Sequence, residues 1–298
     1  LYLPPTDWPL AILLGAIASA TAPAATVAVI QQYDAKGPLT DTVMAVVGID
    51  DAIALLIYQF ASSLALSKLS GQPMALTSTV AMPLLQCVTA LLIGFCVGML
   101  VLFLFRVNKK GDQFAFIVVT GIVLSLGLSL TLSECLEHFH CSTLLTTMAM
   151  SATLVNFRPR LRRRLTDAIR GFVPYFFALF FILGGAHLDF LAVKTVGVLS
   201  LIYLLTRMVG KVSGAGLGAR LGKMPSAIQR YAGFCLIPQV GVAVALAYSV
   251  ALQFQEYPDI VSTCMNVLLF TTLITELIGP FMTRHGLSKA GEIKVQQS

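Results

Sequence analysis

Two adjacent aspartates, Asp50 and Asp51, stand in the middle of an apolar run from about Leu39 to Leu66. A run of that length is enough to cross a bilayer, for which roughly 20 apolar residues suffice. A carboxylate at that depth costs a few kcal/mol, and two neighbours also repel each other. Such a group is retained when its chemistry is needed, and that chemistry is the reversible holding of a proton or a small cation. Neighbours on a helix point about 100° apart. One aspartate can therefore pair with a fixed cation while the other faces a cavity. Their titrations are those of a coupled pair rather than of two independent acids.

The cations that answer them are Arg207 and Lys211, one helical turn apart on one face. A lysine can lose its proton when desolvated, whereas an arginine effectively cannot. Lys211 is thus the partner suited to proton exchange and Arg207 the fixed counter-charge. The plainer reading of Lys211 is a side chain that snorkels to the membrane surface. Glu276, in Thr275-Glu276-Leu277-Ile278-Gly279-Pro280, reads as a structural ion pair with Arg207 or with a loop arginine. Cys135, His138, His140 and Cys141 cluster in one short turn, but no second ligand group accompanies them, so no resident metal is expected.

The elements that must position these residues are membrane helices. The chain is 57% hydrophobic and 11% charged, against roughly 25% charged in an ordinary soluble domain. Its six cysteines fall mostly inside apolar runs and do not read as a disulfide framework. Hydropathy predicts nine spans: Trp8–Val29, Leu39–Leu66, Met82–Phe105, Phe114–Leu132, Cys135–Phe157, Asp167–Leu188, Leu191–Leu221, Ser226–Phe254 and Ile260–Met282. The net charge of +6 is gathered in a few loops, which speaks to orientation rather than to nucleic acid. Arginines and lysines crowd the loops at 106–110, 158–170 and 220–230 and the tail from Arg284, all on one side of an alternating topology. That side is the cytoplasm by the positive-inside rule, with the C-terminus inside.

Two of the spans look interrupted. One contains Ala20-Thr21-Ala22-Pro23-Ala24-Ala25-Thr26, the other Leu236-Ile237-Pro238-Gln239-Val240-Gly241. A proline removes a helical hydrogen bond and frees a carbonyl, and freed groups persist in a membrane only when buried in protein or facing water. The two spans run in opposite directions, and each is followed by an intact helix with a mid-membrane acid. Broken helices at matching positions point to an inverted repeat with its site at the crossing. The expected fold is therefore an all-α polytopic membrane protein with two crossed, broken helices.

These residues together resemble the cation:proton antiporter superfamily, in its paired-aspartate branch of NapA-type sodium/proton antiporters. The matching stretches are Thr21–Thr26, Asp50-Asp51, Phe180–Asp189, Gly210-Lys211 and Pro238–Ala243, spread over nearly the whole chain. The resemblance implies an elevator-type transporter with a core and a dimerisation domain. It implies that Asp51 binds cation and proton alternately, that Asp50 pairs with Lys211, and that Thr21 and Thr26 complete the site beside the breaks at Pro23, Pro238 and Gly241. It further implies electrogenic exchange, a homodimer, the plasma membrane of a prokaryote, and three or four spans preceding Leu1. On this reading residues 1–66 are the first-repeat core and 67–110 a linker helix. Residues 111–190 form the dimerisation side, 191–284 the second-repeat core and 285–298 a cytoplasmic tail.

The function expected is exchange of a monovalent cation (sodium, lithium or potassium) for protons, with the lipid bilayer as medium, no cofactor and no nucleic acid. No enzymatic step is needed, since competition at one carboxylate couples two gradients. A sodium-coupled symporter or organic-anion carrier of related crossed-helix design is the alternative. An intramembrane aspartyl protease is remote, because its two acids must come from different helices.

Overall fold

The structure, a computed structural model, describes residues 7–70, 80–107, 114–136, 139, 141–170, 175, 178–179, 182 and 193–293. Outside them lie Glu137, His138, His140, Leu191 and the whole Phe180–Asp189 stretch except Ile182. Most of the predicted Asp167–Leu188 span lies outside as well. The described residues are helical with no strand among them. The chain divides into two compact units, residues 1–69 with 187–298, and residues 70–186.

The first unit begins with α1 (Asp7–Ile17) and α2 (Pro23–Gln32), followed by α3 (Pro38–Leu69). It resumes with α8 (Val193–Leu221), α9 (Ser226–Cys235), α10 (Gly241–Gln253) and α11 (Pro258–Lys289). Both predicted interruptions are present. The first divides one span into α1 and α2, and the second divides another into α9 and α10. Prolines start helices here as their missing N–H allows, with Pro23, Pro38 and Pro258 each opening one. Pro280 lies inside α11 without ending it, and that helix runs seven residues past its predicted end at Met282. A buried cluster of Val29, Leu39, Val43, Ile228, Cys235, Leu236 and Leu287 joins α2, α3, α9 and α11.

The polar tail expected from residue 285 is in part a working piece of this core. The Glu292 carboxylate accepts from the backbone N–H of Leu39 at 2.6 Å and from that of Thr40 at 2.8 Å. It also accepts from the Thr40 hydroxyl at 2.7 Å. It thereby caps the exposed amide groups at the start of α3, where a negative charge is also favoured by the helix dipole. Gly37 makes room for it. Its φ is +156°, and a Cβ there would collide with the Glu292 side chain.

The second unit holds α4 (Met82–Val107), α5 (Phe114–Cys135), α6 (Thr143–Phe157) and α7 (Leu161–Arg170). Two corrections fall here. Cys135 ends α5 instead of opening the next span, which starts eight residues later where the Ser142 hydroxyl accepts from Leu145 N–H at 3.2 Å. The arginine-rich stretch predicted as a loop is the helix α7, and it passes through Asp167, the predicted start of a span. Hydropathy averages over its arginines and so misses the leucines that recur one turn apart. Small residues let the membrane helices meet closely. A Cβ on Gly94 of α4 would run into the Thr146 carbonyl of α6.

Among the described residues, five helices are long and apolar enough to cross a membrane, with α1, α6 and α10 shorter and apolar. Four of the nine predicted spans are not among the five: the two broken ones each appear as two short helices, one is the shorter α6, and one lies mostly outside the described residues.

Candidate ion-binding site

The two interruptions meet. Ala22 N–H donates to the Pro238 carbonyl at 2.8 Å, so the unwound backbone of one break satisfies that of the other. Proline at 238 frees backbone groups from the helical ladder, and the crossing consumes some of them.

Arg207 secures this crossing. Its guanidinium donates to the carbonyls of Ile237 at 2.5 Å, Ala20 at 2.8 Å and Pro238 at 3.5 Å. The side chain is buried, at 3% exposure. The two polypeptide breaks thus share one fixed positive charge, placed on the carbonyls that helix ends leave open. This differs from the expected ion pair with Glu276. Glu276 forms no ion pair among the described residues, and its buried Oε1 has no hydrogen-bond partner among them.

One turn on, Lys211 reaches the same place. Its ammonium lies 3.0 Å from Asp50 Oδ2 and donates to the Thr21 hydroxyl at 2.7 Å and to the Ser19 carbonyl. Thr21 in turn donates its own hydroxyl to Asp50 Oδ2. Lysine, threonine and aspartate form a closed triangle across α8, the first break and α3. The ammonium is therefore engaged inside the protein rather than snorkelling to the surface. The Asp50 and Lys211 side chains keep 15% and 12% of their surface open. Part of that opening is a cavity of about 630 Å³, whose lining includes Gly15, Ser19, Asp50, Arg207, Gly210 and Lys211.

Asp51 is left without such a partner. Its Oδ1 is buried with no hydrogen bond among the described residues. The pair on α3 is thus asymmetric, with one carboxylate held by a lysine and a threonine and its neighbour carrying an unanswered oxygen.

Thr26 takes a different part from Thr21. It is fully buried and donates to the Cys235 carbonyl at 2.8 Å, tying α2 to the end of α9. Gly241 opens α10 directly after the second break.

Three participants are given no role in the sequence-based expectation. Gln239, wholly buried in the second break, donates from Nε2 to the Ile17 carbonyl at 3.1 Å and to the Tyr203 hydroxyl at 3.0 Å. Ser19 contributes only a main-chain carbonyl, which no side-chain pattern reveals. Gln239 and Tyr203 do carry a signal. The glutamine is the one amide in an otherwise apolar break, and Tyr203 lies four residues before Arg207 on the same helical face.

The profile of the transmembrane sodium/hydrogen exchanger family matches residues 1–287. The chain belongs to the sodium/hydrogen exchanger family. It is accordingly an integral membrane transporter and not an enzyme. No curated protein matches it individually. Among solved structures, it is similar to the sodium proton antiporter MjNhaP1 from Methanocaldococcus jannaschii, with a TM-score of 0.75 at 18% identity. The match covers 96% of this chain and 72% of that one. At that identity the likeness speaks for the fold.

Proposed function

We propose that this exchanger-family member moves a monovalent cation against protons by alternating access, with cation and proton competing for Asp51. The observation that carries this is the asymmetry of the pair. Asp50 already has Lys211 and Thr21, whereas Asp51 presents a buried oxygen with no hydrogen bond among the described residues. A carboxylate so placed gains by taking either a proton or a desolvated cation, and taking one excludes the other. Exchange then needs only that the loaded site be offered to each side in turn.

In this scheme Asp50 and Lys211 hold the local charge, and Lys211 is the group able to give up a proton when Asp50 changes state. Arg207 stays charged and keeps the two breaks together as the core moves. The basic ends of α4, α8 and α11 (Arg106, Arg220 and Lys289) support an orientation with the C-terminus in the cytoplasm. A homodimer in a prokaryotic plasma membrane completes the proposal, on the strength of the family.

The test is reconstitution in liposomes enclosing a pH dye, with sodium, lithium or potassium added in turn. Cation-evoked proton movement that vanishes in Asp51→Asn is the expected result, and it names the ion. Full proton movement in Asp51→Asn would sink the assignment. Solute uptake with no proton flux under any cation would indicate a symporter instead.

A further inference from the structure

The helix α7 belongs to the second unit, and nothing in the exchange mechanism uses it. Residues 158–170 contain six arginines and a single acid, Asp167. The helix starts from a tight turn, with Leu161 N–H donating to the Arg158 carbonyl at 2.9 Å. Leu161 and Leu165, one turn apart, pack on a cluster of Val97, Val101, Leu102, Ile117, Met150 and Leu154. That contact fixes the rotation of α7 about its axis. Arg163 consequently faces outward, Arg164 lies on the flank, and both are exposed, as is Arg160 just before the helix.

Its position is equally defined. Phe105 packs against the same cluster and stacks on Phe114, with ring centroids 4.8 Å apart. The last turn of α4, the first turn of α5 and the end of α6 therefore meet at one end of this unit, and α7 caps that end. Since α4 and α5 are long and apolar enough to span the bilayer, their common end marks the level of the lipid headgroups. Arg106, exposed at the end of α4, adds a further positive charge there. Phe103, one turn before Arg106 on α4, exposes 59% of its surface and gives an apolar flank next to the cationic one, and Phe157 at the end of α6, its ring 6.2 Å from that of Phe95, exposes 58%.

We infer that α7, together with Arg106, is a docking face for anionic phospholipids. A guanidinium fork matches a phosphate in geometry as well as charge. Basic residues at a membrane edge draw acidic headgroups to them. The exposed aromatic flank suits the acyl chains of the same molecule, which a soluble anion does not possess. The leucine anchor makes α7 part of the folded unit, so a bound lipid would be held against α4, α5 and α6 rather than merely attracted to a loose basic loop.

The experiment compares the whole chain in detergent with added phosphatidylglycerol or phosphatidylcholine of identical acyl chains, reading thermal stability and lipid retention by native mass spectrometry. Preferential retention of phosphatidylglycerol and a larger rise in melting temperature are expected, both weakened by salt. The variant Arg160→Gln/Arg163→Gln/Arg164→Gln should lose most of that preference, at about fivefold for each charge removed. Lysine at the same three positions should keep most of it, which separates charge from any effect on folding. An equal response to the two lipids, or an unchanged preference in the glutamine variant, would overturn the inference. So would an equal stabilisation by inorganic phosphate alone, which would make the face a simple anion site.

Discussion

Residues 7–69 and 226–289 run through the same parts in the same order. Each has a short helix, an unwound crossing, a second short helix and then a helix of 32 residues opened by a proline. Counted from Pro38 and Pro258, Asp50 and Asp51 fall opposite Phe270 and Thr271. Thr271 is fully buried, and its hydroxyl returns to its own helix, donating to the Val267 carbonyl at 2.7 Å. The scaffold is therefore repeated while the aspartate pair is not, the mid-helix acid of the second long helix, Glu276, lying at a different register. One half supplies the carboxylates, and the other supplies the carbonyls of Ile237 and Pro238 and the amide of Gln239 that complete the crossing. The cations come from α8, which stands ahead of the second half in sequence and reaches into both breaks. A repeat can thus fix the geometry of a site while its chemistry stays one-sided.

That comparison is open to attack from several directions, the first with the largest effect. Asp51→Asn should reduce cation-evoked proton movement to the level of empty liposomes, with the protein still folded. Adding the acid to the other half, as Thr271→Asp in that background, should not restore it. Recovered exchange would show the halves to be interchangeable. Next comes Lys211→Met, which strands Asp50 in a mostly buried position. Losing one partner of such a pair should cost about 3 kcal/mol of stability, measured by denaturation in detergent. The double variant with Asp50→Asn should recover part of it. Gln239→Leu tests the second half's contribution, since it leaves the Ile17 carbonyl and the Tyr203 hydroxyl without their partner. About 2 kcal/mol should be lost, in the range for buried polar groups left unsatisfied. Glu292→Ala should cost about 1 kcal/mol as the loss of a helix cap. Glu292→Gln should cost less, because an amide oxygen can still accept.

Much of this is legible in the sequence, for identifiable reasons. The breaks show because a proline inside an apolar run removes a hydrogen bond that lipid cannot replace. The aspartates show because charge in a membrane is costly. Lys211 and Asp50 are 161 residues apart; the need for an opposite charge leaves Lys211 and Arg207 both open as partners, and it is the family resemblance that points to Lys211. What stays hidden has no side-chain signature or a misleading one. The carbonyls of Ser19, Ala20, Ile237 and Pro238 are main-chain groups, so side-chain types alone point Arg207 toward Glu276 instead. The leucines of α7 are masked by the arginines around them. Glu292 looks like part of a polar tail, and only folding brings it to α3.

The cap supplied by Glu292 also has a bearing on how the protein is made. Its partner Leu39 precedes it by 253 residues. At about 5–20 residues per second, the ribosome takes roughly 12–50 s to cover that distance. During synthesis the helix holding Asp50 and Asp51 therefore enters the membrane with its leading amides uncapped. It receives that cap only after α11 has been made. The helix that carries the aspartates is thus capped by a residue made long after it.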